Sequence, residues 1–135
     1  MGGRQALIVL DTHAWVWWTE SPRKLSRSAR DTIAGAERIG VATISCFEFV
    51  VLAERGRITV DRDSAEWARQ ALAQDRVEEL SLTADIAVAA ALLERKGFHG
   101  DPGDRIIYAT ARAHDAPLVT KDARLLRFDP QRTLW

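Results

Sequence analysis

The chain contains very little cysteine and no apolar run near its start that is long enough to leave the aqueous phase. Cys46 is the single cysteine among 135 residues, so no internal disulfide can form. A lone cysteine in an apolar stretch is typical of a small buried side chain, and it fits a cytoplasmic protein. The apolar run after the N-terminus, Ala6–Leu10, is too short for a signal peptide or a membrane span. We therefore expect no membrane association.

An excess of charge of either sign is also missing. Lys and Arg number 19, Asp and Glu number 19, and the formal net charge is zero. This balance does not indicate nucleic-acid binding, although acids gathered in a pocket would leave a basic surface around it. Apolar residues make up 47% and charged residues 28%, which is typical of one folded, soluble domain over residues 1–135. We assign no function to Met1–Gly3.

Repeats, low-complexity tracts and linkers are absent, and strand patterns alternate with helix patterns instead. The predicted strands are Ala6–Leu10, Gly40–Thr43, Val77–Leu82, Pro117–Thr120 and an edge strand Thr133–Trp135, with a short extended piece at Arg57–Val60. The predicted helices are Thr12–Glu20, Arg27–Glu37, Ser45–Arg55, Ser64–Leu72, Ala84–Lys96 with its end at Gly97, Pro102–His114 and Asp122–Leu126. This alternation predicts an α/β fold, a three-layer α/β/α sandwich with a mostly parallel central sheet.

Four carboxylates lie where the predicted fold changes from strand or turn to helix: Asp11, Glu48, Asp104 and Asp122. The carboxyl ends of parallel strands line one edge of a sheet, so acids far apart in sequence are expected to meet there. Clustered carboxylates repel one another unless a cation neutralises them. Because oxygen ligands suit Mg²⁺ or Mn²⁺, the pattern predicts metal-assisted chemistry on phosphates.

Each acid also has a purely structural interpretation. Asp11 and Asp122 are placed to cap the helices that follow them, and Asp101 is placed to cap the helix that begins at Pro102. Glu48 is harder to explain in this way, since no cation lies three or four positions from it and an unpaired buried carboxylate is costly. Asp104 likewise lacks a helical partner, so we predict Asp104 as the ligand and Asp101 as the cap or a supporting acid.

Residues for other catalytic chemistries are scattered. His13, His99 and His114 do not have the spacing of a zinc motif, and no Ser-His-Asp arrangement is evident. The acids alone therefore carry the predicted chemistry.

The chain resembles the PIN-domain ribonucleases, and within them the VapC toxins of VapBC toxin–antitoxin pairs. The matching segments follow the family's order and cover nearly the whole chain: Leu10-Asp11-Thr12-His13-Ala14, Ile44-Ser45-Cys46-Phe47-Glu48, His99-Gly100-Asp101-Pro102-Gly103-Asp104-Arg105 with Ala109-Thr110-Ala111, and Leu118-Val119-Thr120-Lys121-Asp122. The third segment is the most specific.

The resemblance implies a PIN-like sandwich and a site for Mg²⁺ or Mn²⁺. Its four acids fall on Asp11, Glu48, Asp104 and Asp122, and small hydroxyls that support the metal site fall on Thr12 and Thr120. It further implies endonucleolytic cleavage of RNA by a metal-activated water, inhibition by a cognate VapB-type antitoxin, and a homodimer.

Cations near the acids are candidates for contact with the RNA backbone. Arg105, Lys121 and Arg124 are closest to the acids in sequence, although a structural ion pair is an equal alternative, above all for Arg105 with Asp101. Trp17 lies on a different helical face from Trp15 and Trp18, where an exposed ring would stack on a base or contact a partner protein.

Two other α/β classes also use acid pockets. A phosphatase of the haloacid-dehalogenase type requires a second Asp two positions after Asp11, where this chain has His13. A receiver-like signalling module binds Mg²⁺ without being an enzyme, but it requires an Asp after its middle strand, and none follows Val77–Leu82 before Asp85. A PIN relative that only binds its ligands is a third alternative.

Overall fold

The computed structural model describes residues 5–135, so Met1–Gly3 lie outside the described residues. Five strands form one sheet in the order β3-β2-β1-β4-β5, and every pair is parallel. The strands are β1 (Leu7–Leu10), β2 (Arg38–Ala42), β3 (Val77–Leu80), β4 (Leu118–Val119) and β5 (Thr133–Leu134). The predicted parallel sheet and its edge strand are confirmed.

Helices cover both faces of the sheet, and they are α1 (Thr12–Glu20), α2 (Arg27–Gly35), α3 (Thr43–Glu54), α4 (Ser64–Leu72), α5 (Ala84–Leu92), α6 (Pro102–Ala113) and α7 (Ala123–Phe128). Along β1, Ile8 and Leu10 pack into the core beneath α1–α4, whereas Leu7 and Val9 pack into the core beneath α6 and α7. A strand buried on both faces must be apolar at every position, which explains the unbroken run in the sequence. The three-layer sandwich is thus confirmed.

The order in which strands are added to the sheet changes sides at β1, although all strands remain parallel. The chain places β2 and β3 on one side of β1 and then crosses to place β4 and β5 on the other. Ligands of open α/β folds bind at such a switch point, outside the carboxyl ends of the strands. Asp11 follows β1 and Thr120 follows β4, so both residues lie at that point.

One predicted element is wrong. Arg57 and Ile58 form a bend, Thr59 and Val60 have no regular structure, and the segment pairs with no strand among the described residues. Its alternating pattern has another cause, because Ile58 and Val60 pack against the core beneath α1–α4 while Arg57 and Thr59 are exposed. None of the helices within residues 5–135 is both long enough and apolar enough to span a membrane.

Candidate active site

The structure brings the four predicted acids into one cleft of about 790 Å³ at the carboxyl edge of the sheet. Asp11 follows β1, Glu48 lies in α3, Asp104 lies in the first turn of α6, and Asp122 immediately precedes α7. The sheet topology therefore collects side chains that are more than a hundred positions apart. Their role as metal ligands remains a prediction.

Asp11 is held by two donors. The Ala14 N–H donates to Asp11 Oδ1 at 2.9 Å, which caps α1, and Thr120 Oγ1 donates to Asp11 Oδ2 at 2.7 Å. Thr120 Oγ1 also accepts the backbone N–H of Asp122 at 3.0 Å. One buried hydroxyl thus links the acid after β1 to the acid after β4 and fixes the carboxylate of Asp11.

Glu48 is held by hydroxyl groups rather than by a cation. Thr12 Oγ1 donates to Glu48 Oε1 at 2.5 Å, and Ser45 Oγ lies 3.0 Å from Thr12 Oγ1. Within residues 5–135 no Lys or Arg forms an ion pair with Glu48. The supporting positions predicted for Thr12 and Thr120 therefore match their contacts, and fully buried Ser45 joins the same network.

Gly103 lies against the carboxylate of Glu48. A Cβ atom built on Gly103 would lie 1.9 Å from Glu48 Oε2, so any other residue here would displace that carboxylate. The sequence analysis assigned no role to Ser45 or Gly103. Their only signals were a serine one turn before Glu48 and a glycine between two acids in Asp-Pro-Gly-Asp.

Asp104 and Asp122 share one guanidinium group. Arg124 Nη2 lies 3.4 Å from Asp104 Oδ2 and 3.2 Å from Asp122 Oδ2. Asp104 therefore has no cationic partner in its own helix, as expected, but it has one from α7. Asp122 also caps α7, since Oδ1 accepts the Arg124 N–H at 2.8 Å.

Burial and mutual repulsion control protonation in the cleft. Burial raises the pKa of Asp11, and the hydrogen bonds from Thr120 and Ala14 oppose that rise. Burial, and then the charges of Asp122 and Glu48, raises the pKa of Asp104 to about 7. For Asp122 partial burial acts upward, but the hydrogen bonds from Arg124 outweigh it and lower the pKa.

Two predicted contacts near α6 are not found. Asp101 occupies the N-cap position and its C=O accepts the Arg105 N–H, but its side chain makes no capping hydrogen bond and lines the cleft instead. Arg105 does not pair with Asp101 or line the cleft. One helical position turns its side chain about 100° from Asp104, and its Nη1 lies 3.8 Å from Glu94 Oε1.

The cleft is also lined by aromatic and basic side chains. His13 and Trp17 come from α1, Phe47 comes from α3, Arg55 directly follows α3, and Lys121 follows β4. Trp17 is half-buried rather than exposed, because it packs edge-on against Trp135 with ring centroids 5.8 Å apart. Lys121 lies over the ring of Trp17 at 5.6 Å and so remains at the cleft, as predicted.

The donor set fits a hard divalent cation, although the acids are not gathered into a finished cage. Within residues 5–135 no three His, Cys, Asp or Glu side chains form a cluster that is already arranged to hold a metal ion. Arg124 lies between Asp104 and Asp122 and neutralises part of their charge. Four carboxylates in one cleft, with an elevated pKa for Asp104, are nevertheless the oxygen-rich surroundings that Mg²⁺ and Mn²⁺ prefer.

Comparison with known proteins identifies the fold family. The family profile described as PIN domain matches residues 8–130. The chain belongs to the PIN-domain family. A relative of this PIN domain is Ribonuclease VapC22 of Mycobacterium tuberculosis, which is 41% identical over 118 residues and is matched over 87% of this chain and 88% of its own. The resemblance to the VapC group is therefore confirmed.

Solved structures share the whole fold of this PIN domain. A toxin–antitoxin complex from Klebsiella pneumoniae matches with a TM-score of 0.68 at 19% identity, covering 95% of this chain and 96% of that one. VapBC2 from Rickettsia felis, bound to a promoter DNA fragment, matches with a TM-score of 0.66 at 18% identity, covering 96% and 98%.

The strand order also separates this PIN domain from the receiver-like alternative. Receiver modules have the doubly wound order 2-1-3-4-5, whereas this sheet has the order 3-2-1-4-5.

Proposed function

We propose that this PIN-domain protein is a Mg²⁺- or Mn²⁺-dependent endoribonuclease and the toxin of a toxin–antitoxin pair. The observation that carries the proposal is the meeting of Asp11, Glu48, Asp104 and Asp122 in one cleft, with Asp11 and Glu48 each held by a buried threonine. The ribonuclease name of the VapC22 relative and the toxin–antitoxin complexes among the similar structures support it.

The four acids would hold the metal, and a divalent ion in such a site supplies phosphate-oxygen polarisation and activation of water for phosphodiester hydrolysis. Thr120 and Thr12 orient the carboxylates of Asp11 and Glu48, because each hydroxyl donates a hydrogen bond to one oxygen of its acid. Arg124 neutralises part of the charge of Asp104 and Asp122. Lys121, which lines the cleft, would bind the RNA backbone.

The proposed partner is a VapB-type antitoxin, and the proposed assembly of the toxin is a homodimer. Trp17 and Trp18 of α1 were candidates for antitoxin contact by resemblance, and both are half-buried with part of their rings accessible. Trp18 lines a separate cleft with Trp67 and Arg76, whereas Trp17 lines the acid cleft. An antitoxin that contacts both residues would reach the mouth of the active site.

The decisive experiment measures cleavage of a single-stranded RNA by purified protein with Mg²⁺, with Mn²⁺ and with EDTA. We expect cleavage only with metal, and we expect Asp11→Asn and Asp104→Asn each to lower the rate by about 100-fold or more while circular dichroism stays unchanged. Asp31→Asn, which changes an exposed acid on α2, is the matched control and should cleave like wild type.

Full activity in both cleft variants would contradict the assignment of the site. Metal binding without cleavage in wild type would favour a module that only binds its ligands. The toxin role is tested by growth arrest on expression, which Asp11→Asn should abolish and the protein encoded by the adjacent small gene should relieve. Equal growth with wild type and Asp11→Asn would remove support for that role.

A further inference from the structure

One face of α3 carries a row of side chains that leads away from the acids. Phe47, Val51 and Arg55 are spaced four positions apart, so they lie on the same side of the helix, and all three line the acid cleft. The row begins directly beside Glu48 and extends about 12 Å along the helix axis. It therefore forms a wall over which a chain bound at the acids would pass.

Phe47 is the most exposed large apolar side chain of the described residues, at 67%. Leu82, Val88 and Leu92 are the other exposed large apolar residues, and none of them lines the cleft. No aromatic ring within residues 5–135 packs against Phe47. Two thirds of Phe47 is therefore accessible to a flat ligand beside the acids.

Trp17, which the sequence offered as a stacking residue or as a contact for a partner protein, does not have a free ring. His13 lies 5.5 Å from it, Trp135 lies 5.8 Å from it, and the ammonium groups of Lys121 and Lys24 lie over it at 5.6 and 6.0 Å. Stacking a base on Trp17 would require these contacts to be broken. The structure thus favours Phe47 over Trp17 as the platform for a base.

The charges along the cleft fit a nucleic-acid strand better than an apolar peptide. Arg55 is exposed at the far end of the row, and no carboxylate of residues 5–135 forms an ion pair with it. Lys121 also lines the cleft, likewise without an ion pair in that part of the chain. A strand with a phosphate at every nucleotide would meet the acid site, an aromatic ring and an unpaired cation in succession.

We propose that Phe47 stacks on an unpaired base beside the scissile phosphate and that Arg55 binds the backbone further along α3. This inference rests on the proposed function and adds the contacts that position the RNA at the cut. A base engaged in a duplex cannot present its face to the ring of Phe47. Phe47 is then a residue that positions and selects the substrate, whereas the acids carry the chemistry.

The test compares wild type, Phe47→Ala, Phe47→Leu and Phe47→Tyr on an oligoribonucleotide that wild type cleaves at a mapped position. Loss of one stacked base predicts that kcat/KM falls about 5- to 100-fold for Phe47→Ala and Phe47→Leu, while Phe47→Tyr stays close to wild type. Leu82→Ala, which removes an exposed apolar side chain outside the cleft, is the control and should not differ from wild type.

An abasic nucleotide distinguishes stacking from a general structural effect. When the base beside the cut is removed, wild type should lose as much activity as Phe47→Ala loses on the intact oligonucleotide. Phe47→Ala itself should lose little further activity on the abasic oligonucleotide. Pairing the oligonucleotide with its complement should abolish cleavage by every form. The proposal would be overturned if Phe47→Ala or Phe47→Leu were as active as wild type. It would also be overturned if removal of the base reduced the activities of wild type and Phe47→Ala by the same factor.

Binding separates failure of this proposal from failure of the proposed function. Fluorescence anisotropy with the labelled oligonucleotide in Ca²⁺ measures the contribution of Phe47 even if no cleavage occurs. We expect Phe47→Ala to weaken binding, and we expect Arg55→Gln to reduce the dependence of affinity on salt while Arg30→Gln, on α2, does not. If wild type binds the oligonucleotide but never cleaves it, only the proposed catalytic activity is refuted. If wild type and Phe47→Ala bind it equally, the stacking role of Phe47 is refuted.

Discussion

A single missing side chain determines where Glu48 can place its carboxylate. Gly103 leaves room for Glu48 Oε2 at a point only 1.9 Å from where a Cβ atom would lie. The conflicting atom is the tip of a flexible side chain, so the fold can tolerate a methyl group there by moving Glu48. The position of the carboxylate, rather than the stability of the protein, would change.

We therefore expect Gly103→Ala to lower RNA cleavage by about tenfold or more while the free energy of unfolding changes by less than about 1 kcal/mol, since a displacement of about 1 Å in an active site is costly. Urea unfolding and metal-dependent cleavage measure the two quantities. Gly35→Ala in α2 is the control, because a Cβ there meets nothing within 4 Å. If Gly103→Ala cleaves like wild type, the contact with Glu48 has no functional meaning.

At the scale of residues, sequence predicted the acids and hydroxyls better than the cations. Asp11, Thr12 and Thr120 are fixed by the ends of β1 and β4, so their neighbourhood follows from the parallel sheet. Long, flexible cationic side chains form ion pairs with acids that are distant in sequence. Arg124 pairs with Asp104, twenty positions away, and Arg105 pairs with Glu94, eleven positions away. No spacing rule along one helix anticipates those pairs.

Helix α5 is apolar on the side that faces away from the molecule. Its exposed apolar positions are Ala84, Ala87, Val88, Ala89, Ala91 and Leu92, and only Ile86 and Ala90 are buried. Small side chains let two helices approach closely, and Asp85 at one end of α5 with Lys96 beyond the other would pair in an antiparallel arrangement. We therefore take this face as the candidate interface of the proposed homodimer.

The proposed homodimer can be tested on this helix. Val88→Glu places a charge on the exposed apolar face, so we expect light scattering to show a mass half that of wild type at the same concentration. Ala65→Glu introduces the same charge on exposed α4 and should leave the mass unchanged. A dimeric Val88→Glu, or a monomeric wild type, would show that α5 is not the interface.

At the scale of elements, the order and type of the strands and helices followed from the sequence, but which segments pair in the sheet did not. The segment Arg57–Val60 alternates between exposed and partly buried side chains, as a true strand does. Only a neighbouring strand with free hydrogen-bonding groups would distinguish the two. Likewise β4 contains only Leu118 and Val119, and it is recognisable as a strand because these two residues pair with β1. Pairing partners are properties of the assembled sheet and are not written in a local pattern.

For the molecule as a whole, collecting acids at one edge of the sheet makes stability depend on pH. The ordinary pKa of an aspartate is 3.8, and that of Asp104 in the folded protein is about 7, so the folded state holds a proton that the unfolded chain has already lost between these values. The free energy of unfolding therefore falls as pH rises through that window, because folding takes up a proton. Asp11, whose pKa is also raised, acts in the same direction, and Asp122 acts in the opposite one.

Without metal, Asp104→Asn should gain stability over wild type as pH rises from about 4 to about 7, with the difference constant above that range. Thermal unfolding in EDTA across pH 4 to pH 8.5 measures it, and Asp31→Asn serves as the control. A difference between Asp104→Asn and wild type that does not change with pH would mean that Asp104 titrates like an ordinary carboxyl.

The strand order has a consequence for the moment at which a newly made chain becomes competent. Strand β1 emerges first from the ribosome, yet the N–H groups of Val9 and Asp11 find their acceptors only in Pro117 and Val119, and Thr120 must be present to hold Asp11. A nascent polypeptide that stops short of Thr120 lacks both the final acid and the hydroxyl that orients the first. Under the proposed function, the ribonuclease site is therefore complete only after β4 and Asp122 have been synthesised.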